Sequence, residues 1–485
     1  MSETTVVTST LSVPGEPRRL TRRALAARDG VEVPAAPVRI VHLGLGAFHR
    51  AHQAWYTAAA TDAADWGISA FTGRSATVAE QLAPQDGLYS LIERSAHGDQ
   101  VSVVPSIVEV ADGSDLGRLT ELLSASGTAL VTLTITEAGY RLTSAGEPDT
   151  ADPAVEADLA WLRANLERPD LGGSASADGP RTTLGRLLLG LEARRRASGG
   201  PIAVVPCDNM PDNGAFVRTG MLALATATSA RLSEWVEQNV SFVSTSVDRI
   251  TPKTTPEDLK TVTRLTGWAD ASPVVTEPFK DWVLAGDFPA GRPEWESAGA
   301  RIVDDIEPFE RRKLWLLNGA HTLLAYAGLL RGCETVAAAV DDPELRAWVG
   351  ELWVEADRHL PSELLDLDAY QAALLERFRN PRIEHRLEQI GMEGSTKLRV
   401  RSIAIARLER SEGRPARAAA RAIAAWIVLL RSGAGLPDAH AGAVADALPG
   451  SDDGLVQRLI AVLDGPLSED DEFVATVSRL VDELS

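Results

Sequence analysis

Residues 38 to 43 read Val-Arg-Ile-Val-His-Leu, an apolar, β-branched run suited to a buried parallel strand. Gly44 and Gly46 follow as turn residues, and from Ala51 onward the apolar positions take helical spacing. "WGISAFTGRS" predicts a second strand that ends in a turn at Gly73. "GTALVTLTITEAGY" and "PIAVVPCDN" predict further buried strands, each running into polar residues, with helical stretches such as "TTLGRLLLGLEARRRAS" between them. Strands alternating with helices imply an α/β fold with a parallel sheet, in which ligands bind beyond the carboxyl ends of the strands. From about residue 300 long Leu/Ala/Arg helices take over and strand signals almost vanish. The loop-rich "GDFPAGRPEWESAG" places a boundary near 285 to 300, and no internal repeat is visible. Three segments result: a loosely packed lead-in over 1–35, an α/β domain over 36–288 and a mostly helical domain over 289–485. "RALAARDG" in the lead-in reads as a surface helix, and "LSEDDEF" near the end as a helix start capped by Ser468.

One stretch breaks the apolar pattern. "KLWLLNGAHTLLAY", residues 313 to 326, reads as a buried helix, yet Lys313, Asn318 and His321 sit among its leucines. At about 100° per residue, with Lys313 at zero, His321 falls near 80°, Asn318 near 140° and Glu310 near 60°. The four polar groups then share about 140° of arc. A solvated stripe would explain the arc, but Asn and His within a Leu-rich segment need partners if they are buried.

Composition narrows the class. The chain has 485 residues, 45% hydrophobic and 24% charged, the profile of an ordinary globular protein of two or three domains. No apolar run approaches the roughly 20 residues that span a bilayer. "MSETTVVTSTLSVPGEPRRL" has no basic start followed by an apolar stretch and is not read as a signal peptide. Cys207 and Cys333 provide neither a disulfide framework nor a metal cluster, which fits a reducing cytoplasm. The net charge of −20 argues against a nucleic-acid partner. No metal is expected: of the eight histidines only His49 and His52 lie close in sequence, and no cysteine cluster accompanies them.

"GLGAFHR" follows a predicted strand and opens a helix, the context in which a glycine turn cradles a pyrophosphate on backbone N–H groups. Gly44 and Gly46 are present, but His49 stands where a third glycine would fall. The carboxylate that usually holds the adenosine ribose at the end of the second strand is replaced by Thr72, Gly73, Arg74 and Ser75. Arg74 is therefore either a partner for a 2′-phosphate or a solvated loop residue. "PCDNMPDNG" supplies Asp208, Asn209, Asp212 and Asn213, of which Asp212 or Asn213 is expected to cap a helix. "FVSTSVDRITP" supplies Asp248 and Arg249, whose structural reading is an ion pair.

Taken with "PQDGLYSL", "LTITEAGY", "EPFKDWV", "PFERRKLWLLNGAH" and "RFRNPRI...QIGMEGSTKLRVR", these motifs resemble the long-chain mannitol dehydrogenase family of polyol and hexuronate oxidoreductases. The resemblance runs from residue 38 to about 430. It implies a Rossmann-type parallel-sheet domain followed by a largely α-helical domain, NAD as cofactor with NADP as the alternative, no metal, and a monomer. It also implies roles. Lys313 is the general base, because oxidising a secondary alcohol requires a proton acceptor and burial depresses a lysine toward neutrality. Asn209 and Asn318 donate to the developing alkoxide. His321 orients substrate oxygen, Asp248 supports the lysine or a substrate hydroxyl, and Glu310 passes the proton to solvent. Gly44, Gly46, Ala47, Phe48, Arg74, Thr136 and Glu137 are expected around the cofactor, and Lys397, Gln389 and Arg401 around the substrate.

The segment ending in Lys397 has the form of the fructuronate reductase branch, which polyol dehydrogenases of bacteria share. Glu393 stands for the usual Asp and Arg399 for the usual Pro. The first reading is a mannitol/fructose type of conversion. The others are hexuronate reduction, and oxidation of mannitol 1-phosphate with Lys397, Arg399 and Arg401 on the phosphate. A nucleotide sensor without turnover ranks below these, since Lys313, Asn209 and Asn318 are all present.

Overall fold

The computed structural model describes residues 7–8, 16–30, 32–168, 179–449 and 454–485. The chain forms two compact units that divide between Ile306 and Glu307.

The first unit is built on six strands: β1 Val38–Leu43, β2 Gly67–Phe71, β3 Ile107–Ala111, β4 Leu130–Leu133, β5 Ile202–Pro206 and β6 Val240–Phe242. They lie in the order β6-β5-β4-β1-β2-β3, every neighbouring pair parallel. This is the doubly wound Rossmann order, with the topological switch between β1 and β4, where such sheets bind ligands. β1 is central because it is apolar on both faces. Val41 joins the cluster around Leu187 and Leu189 of the helix Thr183–Ala197, whereas Ile40 joins the cluster around Tyr56, Trp282 and Trp295.

β3 has only five residues and was not anticipated from the sequence, nor was the hairpin of Tyr89–Ser95 with Gly98–Val104. The helix after β1 starts at Ala47, not at Ala51, and breaks at His52 before resuming over Gln53–Ala59. Ser244–Asp248 pairs antiparallel with Asp281–Ala285, which pairs parallel with Arg301–Val303. The strand Arg301–Val303 lies past the 285 to 300 window expected from the sequence, and the first unit ends at Ile306.

The loosely packed lead-in is corrected over its described residues. Val7–Thr8 pairs with Val103 and Ser102, and Arg18–Arg19 pairs with Trp268–Ala269. Leu25 of the helix Arg22–Asp29 is buried with Leu20, Leu88 and Trp268. Among its described residues Leu20, Leu25 and Val33 anchor the lead-in to distant segments, so its order needs no apolar periodicity of its own.

Among its described residues, the named elements of the second unit are all helices. At its centre Arg417–Arg431, buried along most of its length, packs against Gly319–Leu330 and Asp471–Leu484. The cap expected at Ser468 lies at Asp470, whose carboxylate accepts from Phe473 N at 3.0 Å, while Ser468 ends the short helix Gly465–Ser468.

Candidate functional site: a glycine turn and a lysine-bearing π-turn

One group of candidate residues lies at the carboxyl ends of β1, β4 and β5 of the first unit. Gly44 leaves β1 with φ +106°, and a Cβ there would sit 2.3 Å from Thr134 O, so only glycine fits the turn. Gly46 differs: a Cβ would meet nothing nearer than Gly44 O at 3.6 Å. The protein's own packing therefore does not require that glycine. Ala47 and Phe48 open the helix that follows and are half-buried.

A polar chain behind the turn sets its position. Thr134 Oγ1 donates to Gly44 O at 2.8 Å, so it accepts at 3.0 Å from His42 Nε2, and His42 Nδ1 accepts from Thr132 Oγ1 at 2.8 Å. Burial pushes His42 down to about 3, consistent with the neutral ring that this chain requires. His49, in the third-glycine position, stacks on His42 with ring centroids 3.3 Å apart. Here the helix meets the strand through stacked rings in place of the close backbone approach that a glycine permits.

At the end of β2, Thr72 is buried and accepts from Gly113 N at 3.0 Å, which ties β2 to the loop after β3. Arg74 is exposed on that loop, and Ser75 Oγ is hydrogen-bonded to Thr77 Oγ1 at 2.7 Å. Thr136 and Glu137 are exposed beyond β4, at the start of the short helix Glu137–Tyr140.

Asn209 is exposed just past β5, in a loop organised by its neighbours. Asp208 accepts from Tyr140 Oη, from Met210 N at 2.9 Å and from Asn213 Nδ2 at 3.2 Å. Asn213 Oδ1 in turn accepts from Thr245 N at 2.8 Å, joining this loop to the strand that ends in Asp248. Asp212 precedes the helix Asn213–Thr228 with φ +45° and accepts from Ser244 Oγ, so neither Asp212 nor Asn213 caps that helix through its side chain. The expected Asp248–Arg249 pair gives way to Arg249 with Glu93 at 2.6 Å, and Asp248 is half-buried. Tyr140 and Asn213 are the organisers that sequence reasoning missed; their role depends on contacts between distant segments.

A second group of candidate residues lies in the helical unit. Glu307–Arg312 begins with acidic residues and ends with Arg311 and Arg312, as the helix dipole favours. Lys313–Asn318 then widens into a π-turn, with Gly319 N donating to Leu314 O, before the α-helix Gly319–Leu330. The regular α-helix expected from the sequence is corrected here. A π-turn takes five residues, not four, to close each hydrogen-bonded turn, so Asn318 moves toward the face of Lys313, where an α-helix would set it about 140° away. His321, three α-helical residues further, lies within about 60° of Asn318. Lys313, Asn318 and Glu310 are half-buried.

The widened turn is held by side-chain donors to its carbonyls. Trp353 Nε1 donates to Leu316 O at 2.8 Å, Thr322 Oγ1 to Asn318 O at 3.0 Å, and Arg401 Nη1 to Asn318 O at 3.1 Å. Arg401 itself belongs to a second π-turn, Arg399–Ile403. His321 is buried against Phe378 and His385, with centroids 4.9 and 4.8 Å away, and its Nε2 has no hydrogen-bond partner. Burial first, then the charges of His385, Arg377, Arg401 and Lys397, hold His321 well below the usual histidine range.

The three cations proposed for a phosphate are committed elsewhere. Lys397 Nζ donates to Ile390 O at 2.9 Å, Arg399 Nη2 to Val462 O at 2.6 Å and Arg401 to Asn318 O. Gln389 is exposed on Leu387–Gly391, whose Leu387 and Ile390 point inward. Among the described residues no group of His, Cys, Asp or Glu side chains could hold a metal ion, and no helix is long and apolar enough to cross a membrane.

Two family models account for most of the chain: the mannitol dehydrogenase Rossmann domain matches residues 38–297 and the mannitol dehydrogenase C-terminal domain residues 305–484. The chain belongs to the mannitol dehydrogenase family. It is an oxidoreductase acting on a CH–OH group. It is 37% identical over 402 residues to the D-mannonate oxidoreductase of Escherichia coli K12, covering 80% of this chain and 79% of that one. It is 36% identical over 400 residues to the mannitol 2-dehydrogenase of Aspergillus terreus, covering 79% and 77%. Its fold matches the Pseudomonas fluorescens mannitol 2-dehydrogenase solved in ternary complex with NAD and D-mannitol, with a TM-score of 0.74, 33% identity and 96% of each chain covered.

Proposed function

We propose that this member of the family interconverts a sugar alcohol and its ketose with NAD, in the manner of mannitol and fructose, and that Lys313 is the general base. The observation that carries the reading is the π-turn, which brings Lys313, Asn318 and the buried His321 to one side of a single helix. The likeness to an enzyme held with NAD and D-mannitol across 96% of both chains supports the choice of cofactor and substrate.

When bound, the nicotinamide accepts hydride from the carbinol carbon. Lys313 Nζ takes the hydroxyl proton, and Glu310, one turn earlier on the same face, passes it to solvent. Asn318 and Asn209 donate to the alkoxide; one such donor is worth about 3 kcal/mol of barrier. His321, held neutral, presents Nε2 to a substrate oxygen, and Asp248 is assigned to a substrate hydroxyl. Gly44 and Gly46 with Ala47 and Phe48 hold the pyrophosphate. Thr136 and Glu137 border the nucleotide at the end of β4.

One observation favours a second reading. His321 packs edge-on against His385 at 4.8 Å and feels the charge of Arg377, a surrounding suited to a substrate that carries a carboxylate. Mannonate has one, and the E. coli relative is named for it. Initial rates with NAD and NADP on mannitol, arabinitol, mannonate and mannitol 1-phosphate decide between them. A kcat/KM highest on mannitol or arabinitol supports the first reading, highest on mannonate the second. No turnover on any of the four refutes both.

A further inference from the structure

The family pattern offers Arg401 as a substrate residue, and its surroundings argue otherwise. Its guanidinium points into the helical unit, where Nη1 donates to Asn318 O at 3.1 Å and to Thr322 Oγ1 at 2.8 Å. Thr322 Oγ1 donates to the same Asn318 carbonyl at 3.0 Å, which closes a small ring of hydrogen bonds on one backbone atom. Arg401 Nε is buried without a partner, so the side chain is enclosed on that edge too. That carbonyl ends the π-turn. A π-turn is less favourable than an α-helix and persists where its carbonyls find other donors.

We propose that Arg401 is a positioning residue: it pins the Asn318 carbonyl through Nη1, fixes the π-turn, and so aims the Asn318 amide along the face that carries Lys313. The inference rests on the reading of Lys313 as base and Asn318 as alkoxide donor. The two π-turns work as a pair, the second supplying the donor that keeps the first open. Burial lowers the Arg401 guanidinium to about 10, still charged at neutral pH, so the hydrogen bond to Asn318 is charge-assisted. The same charge acts on His321 and Lys397, lowering both.

The test compares Arg401→Met, Arg401→Lys and Thr322→Val with wild type, on mannitol as a neutral substrate and mannonate as an anionic one, at saturating cofactor. A donor displaced by about an ångström costs on the order of 100-fold. Arg401→Met is therefore expected to lower kcat roughly 10- to 100-fold on whichever substrate the wild type turns over, with KM within about threefold. Arg401→Lys, which keeps a charged donor, recovers part of that loss. Hydrogen exchange of the amides from 313 to 323 quickens in Arg401→Met while the first unit is unaffected. This readout is independent of activity, so it still tests the role of Arg401 if the assigned chemistry is wrong. A KM that rises on mannonate with kcat retained overturns the proposal and makes Arg401 a substrate ligand. Unchanged kcat and unchanged exchange overturn it as well. Should Arg401→Met fail to fold, Thr322→Val decides: a severalfold fall in kcat supports the ring of hydrogen bonds, and wild-type kcat refutes it.

Discussion

Lys313→Ala tests the chemistry most directly. Loss of a general base costs about 10²–10⁴ in rate. The variant should bind NAD as wild type does, because the glycine turn belongs to the other compact unit. Retention of more than about a tenth of the wild-type rate at alkaline pH would remove Lys313 from the role. Arg74 tests the cofactor. The end of β2 carries no carboxylate; Thr72 is occupied by Gly113 N and Arg74 is exposed. With no negative charge to repel a 2′-phosphate, the preference for NAD should be modest, since specificity is a difference of two affinities. Arg74→Asp should raise the NAD/NADP ratio of kcat/KM by weakening NADP. If the ratio does not move, Arg74 lies away from the ribose.

At the scale of elements, the turn after β1 separates two kinds of glycine. Gly44→Ala forces a Cβ to 2.3 Å from a backbone oxygen at φ +106°. It should cost on the order of 1–3 kcal/mol of stability and abolish tight nucleotide binding. Gly46→Ala has room, with the nearest atom at 3.6 Å. It should fold within about 0.5 kcal/mol of wild type yet lose nucleotide affinity at least tenfold. Urea melts and nucleotide titrations on both variants read this out. Wild-type affinity in Gly46→Ala would mean that no pyrophosphate rests on the turn. The helix Glu307–Arg312 and the π-turn after it make the complementary point. The sequence shows which residue types lie there, but its α-helical angles set Asn318 too far round the axis from Lys313. The π-turn depends on Trp353 and Arg401, which are remote in sequence.

For the whole molecule, buried histidines set the acid limit of stability. His42, His49 and His321 all have pKa values depressed by burial, His42 to about 3. A histidine neutral in the folded state and near 6.5 when unfolded contributes in full above pH 6.5. The contribution falls as pH drops, until the folded group also protonates, near 3 for His42. Each such group costs up to about 1.4 kcal/mol per pH unit in that window. Unfolding free energy should therefore drop by several kcal/mol between pH 7.5 and 5.5. His49→Phe, which keeps a ring against His42, should remove about one proton from the slope. An identical slope in the variant would show that His49 is not held neutral. The amino-acid sequence by itself determined the α/β unit, four strands of the central sheet, the glycine turn, the change to helices and the identities of Lys313, Asn318 and His321. Those are properties of local pattern: β-branched runs, glycine between strand and helix, and polar residues in an apolar helix. Only the tertiary structure decided what Arg401, Arg399, Asn213, Tyr140 and His42 do. Each acts through a bond to a segment far along the chain, and a side chain's partner at such a distance is set by packing, which no local spacing encodes.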